Sequence, residues 1–313
     1  MKKKNFILFF VLGFLVIFSF VMLFFNSYPR KEFYDGIDSL NEEKKVVVAS
    51  FYPIYIILLN ITDGVENIKI ENISKNYGGG CLHDFQLQPT DMKKIEKSMA
   101  FVINGAGMED SFIEKLKENY EKINIIDSSK NINLLHKDSH IWLSLNNYKK
   151  QVENILEQLS KIDTKNSEKY ILNASEYMKK LEELKFRMEN ELSKIPIEKR
   201  KIVILDNRFN YFGKDFNFET INLSKHSHSH DEGSNAKEIS SLIYKIKTDK
   251  NIKSIFVDSN SESSKKTAES ISKEVSVKIY ELNSATNGEK NKDQYLNSVE
   301  KNFKTIKNAF NIL

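Results

Sequence analysis

Hydrophobic and polar positions divide the chain into three textures. The first is a block of twenty uncharged residues, Phe6 to Phe25, preceded by Lys2, Lys3 and Lys4. As a helix it would be roughly 30 Å long, about the hydrocarbon thickness of a bilayer. The lysines predict that its N-terminus stays in the cytoplasm and that everything after Asn26 lies outside. A cleavable signal is the competing reading. The block is long, however, and NSYPRKEF after it offers no small-x-small site, so an uncleaved anchor is expected over residues 1–26. The polar residues 27–45 read as a tether.

The second texture is an alternation of short apolar runs with amphipathic stretches. VVVAS, KIENI, MAFVING and INIID read as strands. FYPIYIILL, PTDMKKIEKS and MEDSFIEKLKENYEK read as helices, with Thr90 as a candidate N-cap and Asp91 placed to complement the helix dipole. Strands alternating with helices predict an α/β lobe with a largely parallel sheet over 46–146. After Pro196 the same texture returns. RKIVILD, DFNFETINL, KSIFVDS and VKIYELN read as strands, and NAKEISSLIYKIKTD, ESSKKTAESISKEV and DQYLNSVEKNFKTIKNAF as helices. That gives a second α/β lobe over 194–313. The two lobes show no sequence repeat.

Between them, residues 147–193 carry the third texture. Tyr170, Ala174, Tyr177, Leu181, Leu184 and Met188 follow three- and four-residue steps with no Gly or Pro until Pro196. This predicts a long helix linking the lobes, about 45 Å for thirty residues. The expected fold is therefore α/β: two lobes with parallel sheets, joined by a long rigid helix and preceded by a transmembrane anchor. Such a shape places a cleft between the lobes, a common ligand site.

Charge narrows the function. The net charge of +4 is accounted for by Lys2, Lys3, Lys4 and Arg30, with no acid before Glu32. The body is neutral by count, which argues against a nucleic-acid binder. A single cysteine, Cys81, excludes an internal disulfide framework. No GxSxG, Walker or GxGxxG pattern occurs. A thiol nucleophile at Cys81 beside His83 has no assignable partner, so an enzyme is not expected. An extracellular hydrolase using Cys81 or Asp206 is a remote alternative.

Six histidines remain: His83, His136, His140, His226, His228 and His230. All fall in loops or near strand ends, where ligands sit in parallel α/β lobes. Imidazole is the commonest nitrogen ligand for transition metals. Taken singly, His83 in GGGCLHDF reads as a solvated loop residue, and His140 in HKDSHIWL as a packing histidine beside Trp142. The HSHSH tract at 226–230 puts three imidazoles on one side of an extended segment, either as a chelating tract or as a flexible polar loop.

Together these blocks resemble the zinc/manganese ABC-transporter substrate-binding proteins, from about Lys45 to the C-terminus. GGGCLHDFQLQPTDMKKIEKSMAFVINGAGMED is similar to that family's first-ligand loop, DSHIWLSLNN to its DPHxWLDP block, and VILDNRFNYFGKDFNF to its third-ligand block. The resemblance implies an extracytoplasmic receptor that captures Zn²⁺, with Mn²⁺ the alternative, and delivers it to a membrane permease. It places the first two ligands at His83 and His140. The third falls on Asp206, where members carry His or Glu. The fourth falls on Asn283, where members carry Asp. Water, Cys81, Asp258 or a histidine of the tract (His226, His228, His230) would complete the shell. The anchor departs from the lipid attachment common in Gram-positive members. A monomer is expected. The departures at Asp206 and Asn283 leave open a second reading, a degenerate member with weak or no metal binding that serves cell adhesion or surface interaction.

Overall fold

The computed structural model describes residues 44–75, 82, 85–205, 208–223 and 236–312. The apolar block at 6–25, expected as an anchor, lies outside them, and no helix among the described residues is long and apolar enough to cross a membrane. Residues 45–313 form one compact unit.

In its first half the chain runs β1 (Lys45–Ala49), α1 (Tyr52–Ile61), β2 (Ile68–Asn72), α2 (Pro89–Glu96), β3 (Ala100–Ile103), α3 (Ile113–Asn119) and β4 (Ile125–Asp127). The four strands make a parallel sheet in the order β2-β1-β3-β4. The second half follows with β5 (Lys201–Ile204), α6 (Asn210–Asp215), β6 (Glu219–Asn222), α7 (Ala236–Thr248), β7 (Ser254–Asp258), α8 (Glu262–Val275), β8 (Lys278–Leu282) and α9 (Gln294–Ala309). Its sheet is again parallel, in the order β6-β5-β7-β8. The two lobes therefore share one topology although their sequences show no repeat. In each, the chain reverses its direction of winding between the first and third strands, which opens a crevice at their carboxyl ends.

Helices cover both faces of these sheets, so the inner strands are apolar except at their ends. β3 is buried along its whole length. In the second lobe the strand period sorts side chains into two cores. Ile202, Ile204 and Phe256 join the large core shared with the first lobe. Val203, Ile255 and Val257 face a separate core with Leu242 and Ile246 of α7 and Ala268 and Ile271 of α8.

The segment at 147–193, expected as a single linking helix, is two helices. α4 spans Leu145–Ile162 and α5 spans Ser167–Leu192. The break comes at Asp163, which is buried although no Gly or Pro marks it. Its carboxylate leaves the helix surface to accept from Lys45 Nζ (3.1 Å), Asn166 Nδ2 (2.6 Å) and the Tyr170 hydroxyl (2.7 Å). The two helices then run side by side, with Lys149 paired to Glu182 at 2.8 Å. α5, with 26 residues, is about 39 Å long. It begins against the first lobe, where Asn173 Nδ2 donates to the carbonyls of Ile61 and Asp63. It ends against the second, where Arg187 pairs with Glu300 of α9.

Two local expectations change. α2 starts two positions earlier than a Thr90 cap requires. Gln88 is the N-cap, Pro89 supplies the helical φ at the first position, and the Asp91 carboxylate accepts from the Gln88 N–H at 3.3 Å. DFNFETINL, expected as one strand, is strand only over Glu219–Asn222, and its first residue, Asp215, ends α6, a helix whose six residues NYFGKD are too few to show a period.

Candidate metal centre

The carboxyl ends of β1 and β3 carry a buried polar network. Glu109 is buried in it, accepting from the Ser50 hydroxyl (2.6 Å), the Asn104 N–H (2.8 Å) and the Gly105 N–H (2.9 Å). Burial pushes its carboxyl up to about 7 against these three donors. Asn104 extends the network toward the cleft. Its Nδ2 donates to the Ser139 carbonyl at 3.0 Å, and its Oδ1 accepts from Gln151 of α4 at 3.1 Å.

Ser139 leads into His140, which is buried at the start of a short 3₁₀ turn, Ile141–Leu143. Asp138 fixes the imidazole. One carboxylate oxygen lies 2.6 Å from His140 Nδ1 and accepts the His140 N–H at 2.9 Å. An imidazole whose Nδ1–H is held by a carboxylate presents Nε2 as its basic nitrogen, the arrangement usual for a metal-bound histidine. Trp142 packs beside it with ring centroids 5.3 Å apart.

The second lobe grips this segment. The Trp142 indole N–H donates to the Ser284 carbonyl at 2.8 Å, and the Tyr295 hydroxyl to the Trp142 carbonyl at 2.6 Å. Tyr295 also stacks on Tyr148 at 3.6 Å. The Tyr211 hydroxyl donates to the Asp138 carbonyl at 2.7 Å. His140 thus sits at the seam between the lobes.

On the far side, Asn283 follows β8. Its backbone is locked to Asn302 of α9 by two hydrogen bonds of 2.7 and 2.8 Å, and its side-chain oxygen accepts from the Ala285 N–H at 2.6 Å. A carboxamide oxygen has a second lone pair. Asp258, at the end of β7, is fully buried and ion-paired with Arg208, and its other oxygen accepts from the Asn260 N–H at 3.0 Å. Its carboxylate is committed to a cation of the protein itself.

Cys81, His83, Asp206, His226, His228 and His230 lie outside the described residues. The chain is anchored on both sides of His83, since Leu82 and Phe85 are buried. His136 is exposed, at a φ of 48°. Among the described residues no three His, Cys, Asp or Glu side chains converge on a metal-sized site. Sequence reasoning missed Asp138, Tyr211, Glu109 and Arg208. Only Asp138 left a signal, as the acid two residues before the histidine in DSHIWL.

Comparison with known proteins decides the family. The ZnuA family, described as zinc-uptake complex component A, periplasmic, matches residues 47–309. The chain belongs to this family. Its members are substrate-binding components of ABC transporters and not enzymes. The manganese-binding lipoprotein MntA of Halalkalibacterium halodurans is 32% identical over 180 residues, which is 55% of this chain and 59% of that protein. The manganese ABC transporter substrate-binding lipoprotein PsaA of Streptococcus pneumoniae is 28% identical over 258 residues, 78% of this chain and 81% of the relative. A Mn-bound periplasmic metal-binding protein from Candidatus Liberibacter asiaticus superposes with a TM-score of 0.73 at 25% identity, covering 85% of this chain and all of that one. The two α/β lobes and the long helix α5 are those of the ZnuA-like fold.

Proposed function

We propose that this ZnuA-family chain is an extracytoplasmic metal receptor that captures a divalent transition metal at the seam between its lobes and hands it to an ABC permease. The observation that carries this reading is His140, buried at the seam with Nδ1 held by Asp138. Coordination then falls to Nε2. His83, Asp206 and Asn283 complete the proposed set, from the first-ligand loop, the end of β5 and the end of β8. The metal is cargo, and what the chain supplies is orientation and exclusion of water.

Two imidazoles, one carboxylate and a neutral amide favour zinc over manganese, which prefers oxygen donors. The relatives named for manganese point the other way, so the choice of metal is a question for titration. Because imidazole must be neutral to bind, affinity falls as pH drops through roughly 6.5. The HSHSH tract at 226–230 would gather metal and raise its local supply.

The test is calorimetric titration of metal-stripped protein with Zn²⁺ and Mn²⁺ separately. One metal should bind at a stoichiometry of one, and His83→Ala with His140→Ala should abolish it. Undiminished binding by that double variant would sink the assignment. Asn283 favours a second reading. A neutral amide stands where the family carries a carboxylate, and its oxygen is already engaged by Ala285 N–H. A member with relaxed metal binding that acts in adhesion would show no stoichiometric metal and no thermal stabilisation by either ion.

A further inference from the structure

α6 touches the His140 segment at two points from the opposite lobe. Tyr211, 1% exposed, donates its hydroxyl proton to the Asp138 carbonyl at 2.7 Å and accepts the Leu135 N–H at 3.0 Å. One turn later, Asp215 accepts from the Ser144 hydroxyl at 2.8 Å, from Asn146 Nδ2 at 3.0 Å and from Asn146 N–H at 3.4 Å. Ser144 is in turn the N-cap of α4, its oxygen accepting from Asn147 N–H at 3.0 Å. Residues four apart on a helix share one face. A single turn of α6 therefore brackets residues 135–146, holding the stretch before His140 through Tyr211 and the stretch after it through Asp215.

Asp206 lies four residues before Asn210, the first residue of α6. Any displacement of α6 moves the loop that carries His140. Tyr211 is not aimed at a metal. It bonds the main chain of the residue whose side chain orients His140.

We propose that Tyr211 and Asp215 are positioning residues of the metal centre, holding the His140 loop of one lobe from a helix of the other, so that metal affinity depends on contacts that no ligand makes. This rests on the reading of the seam as a metal site.

The experiment compares Tyr211→Phe with Tyr170→Phe in the full chain, metal-stripped, titrated with Zn²⁺ and Mn²⁺ and unfolded in urea without metal. Both changes delete one buried hydroxyl. Tyr170 bonds Asp163 at 2.7 Å in the connection between α4 and α5, apart from the seam. Tyr211→Phe should weaken binding of the cognate metal by about tenfold or more, the range for residues that orient a ligand. Tyr170→Phe should leave affinity within about twofold while lowering metal-free stability comparably. Equal affinity in Tyr211→Phe and wild type, with stability lost in both variants, overturns the proposal and leaves the metal site standing. Wild-type protein that binds neither metal overturns both. Should Tyr211→Phe fail to fold, Asp215→Asn gives the same comparison, since it weakens the bracket at its half-buried end. Unchanged affinity in that variant counts equally against the proposal.

Discussion

Replacing Glu109 by Gln should make the protein's stability less dependent on pH, in a direction fixed by the sign of the carboxyl's shift. Glu109 is fully enclosed behind β1 and β3, and burial moves its carboxyl from 4.5 to about 7. The Ser50 hydroxyl and the Asn104 and Gly105 N–H groups pull the other way, and Asp127 adds a small upward push. Between those two values the folded protein holds a proton that the unfolded chain has released. Stability from this group is therefore fully present below pH 4.5 and is lost as pH rises toward 7 and above. At about 1.4 kcal/mol per tenfold, the loss is about 3 kcal/mol. The assay is urea unfolding of metal-free wild type and Glu109→Gln from pH 4 to pH 8, taking the difference at each pH so that other titrations cancel. The wild type should lose about 3 kcal/mol relative to the variant across that window. A flat difference would mean that burial and the three donors balance. A wild type that gains on the variant as pH rises would mean the donors win and the carboxylate is the native form.

Trp142→Phe should cost about 2–4 kcal/mol in urea unfolding, since it opens space beside Phe51 and leaves the buried Ser284 carbonyl without its indole donor; a loss under about 1 kcal/mol would contradict that account. Gly105→Ala should cost about 2–4 kcal/mol, because Gly105 has a φ of +74° and a methyl there meets the Asp127 and Ser129 side chains; a melting temperature equal to wild type refutes it. Asn283→Asp keeps the acceptor for Ala285 N–H and adds a charge at the proposed fourth ligand, so titration should show metal binding on the order of tenfold tighter. Lower or equal affinity would remove Asn283 from the set.

Periodicity and composition by themselves determined much of this protein. The inner strands are short runs of apolar and β-branched residues and lie where those runs predict, because a strand covered on both faces has few polar positions; the run DFNFETINL is the exception, since Asp215 ends α6 and only Glu219–Asn222 is strand. The stripe from Tyr170 to Met188 is the buried face of α5. The loop blocks around His83 and His140 sufficed to identify the family. Tertiary structure decided the rest. The break at Asp163 draws on two local partners, Asn166 and Tyr170, but its third, Lys45, is 118 residues away and cannot be read from the local sequence. The 73-residue separation of Asp138 and Tyr211 hides the bracket on the His140 loop in the same way. Glu109 reads as one more charged residue until the ends of β1 and β3 close over it. Side-chain period is a property of neighbours along the chain and survives in the sequence. The pairing of buried polar groups depends on which distant segments packing brings together, and only the folded chain settles it.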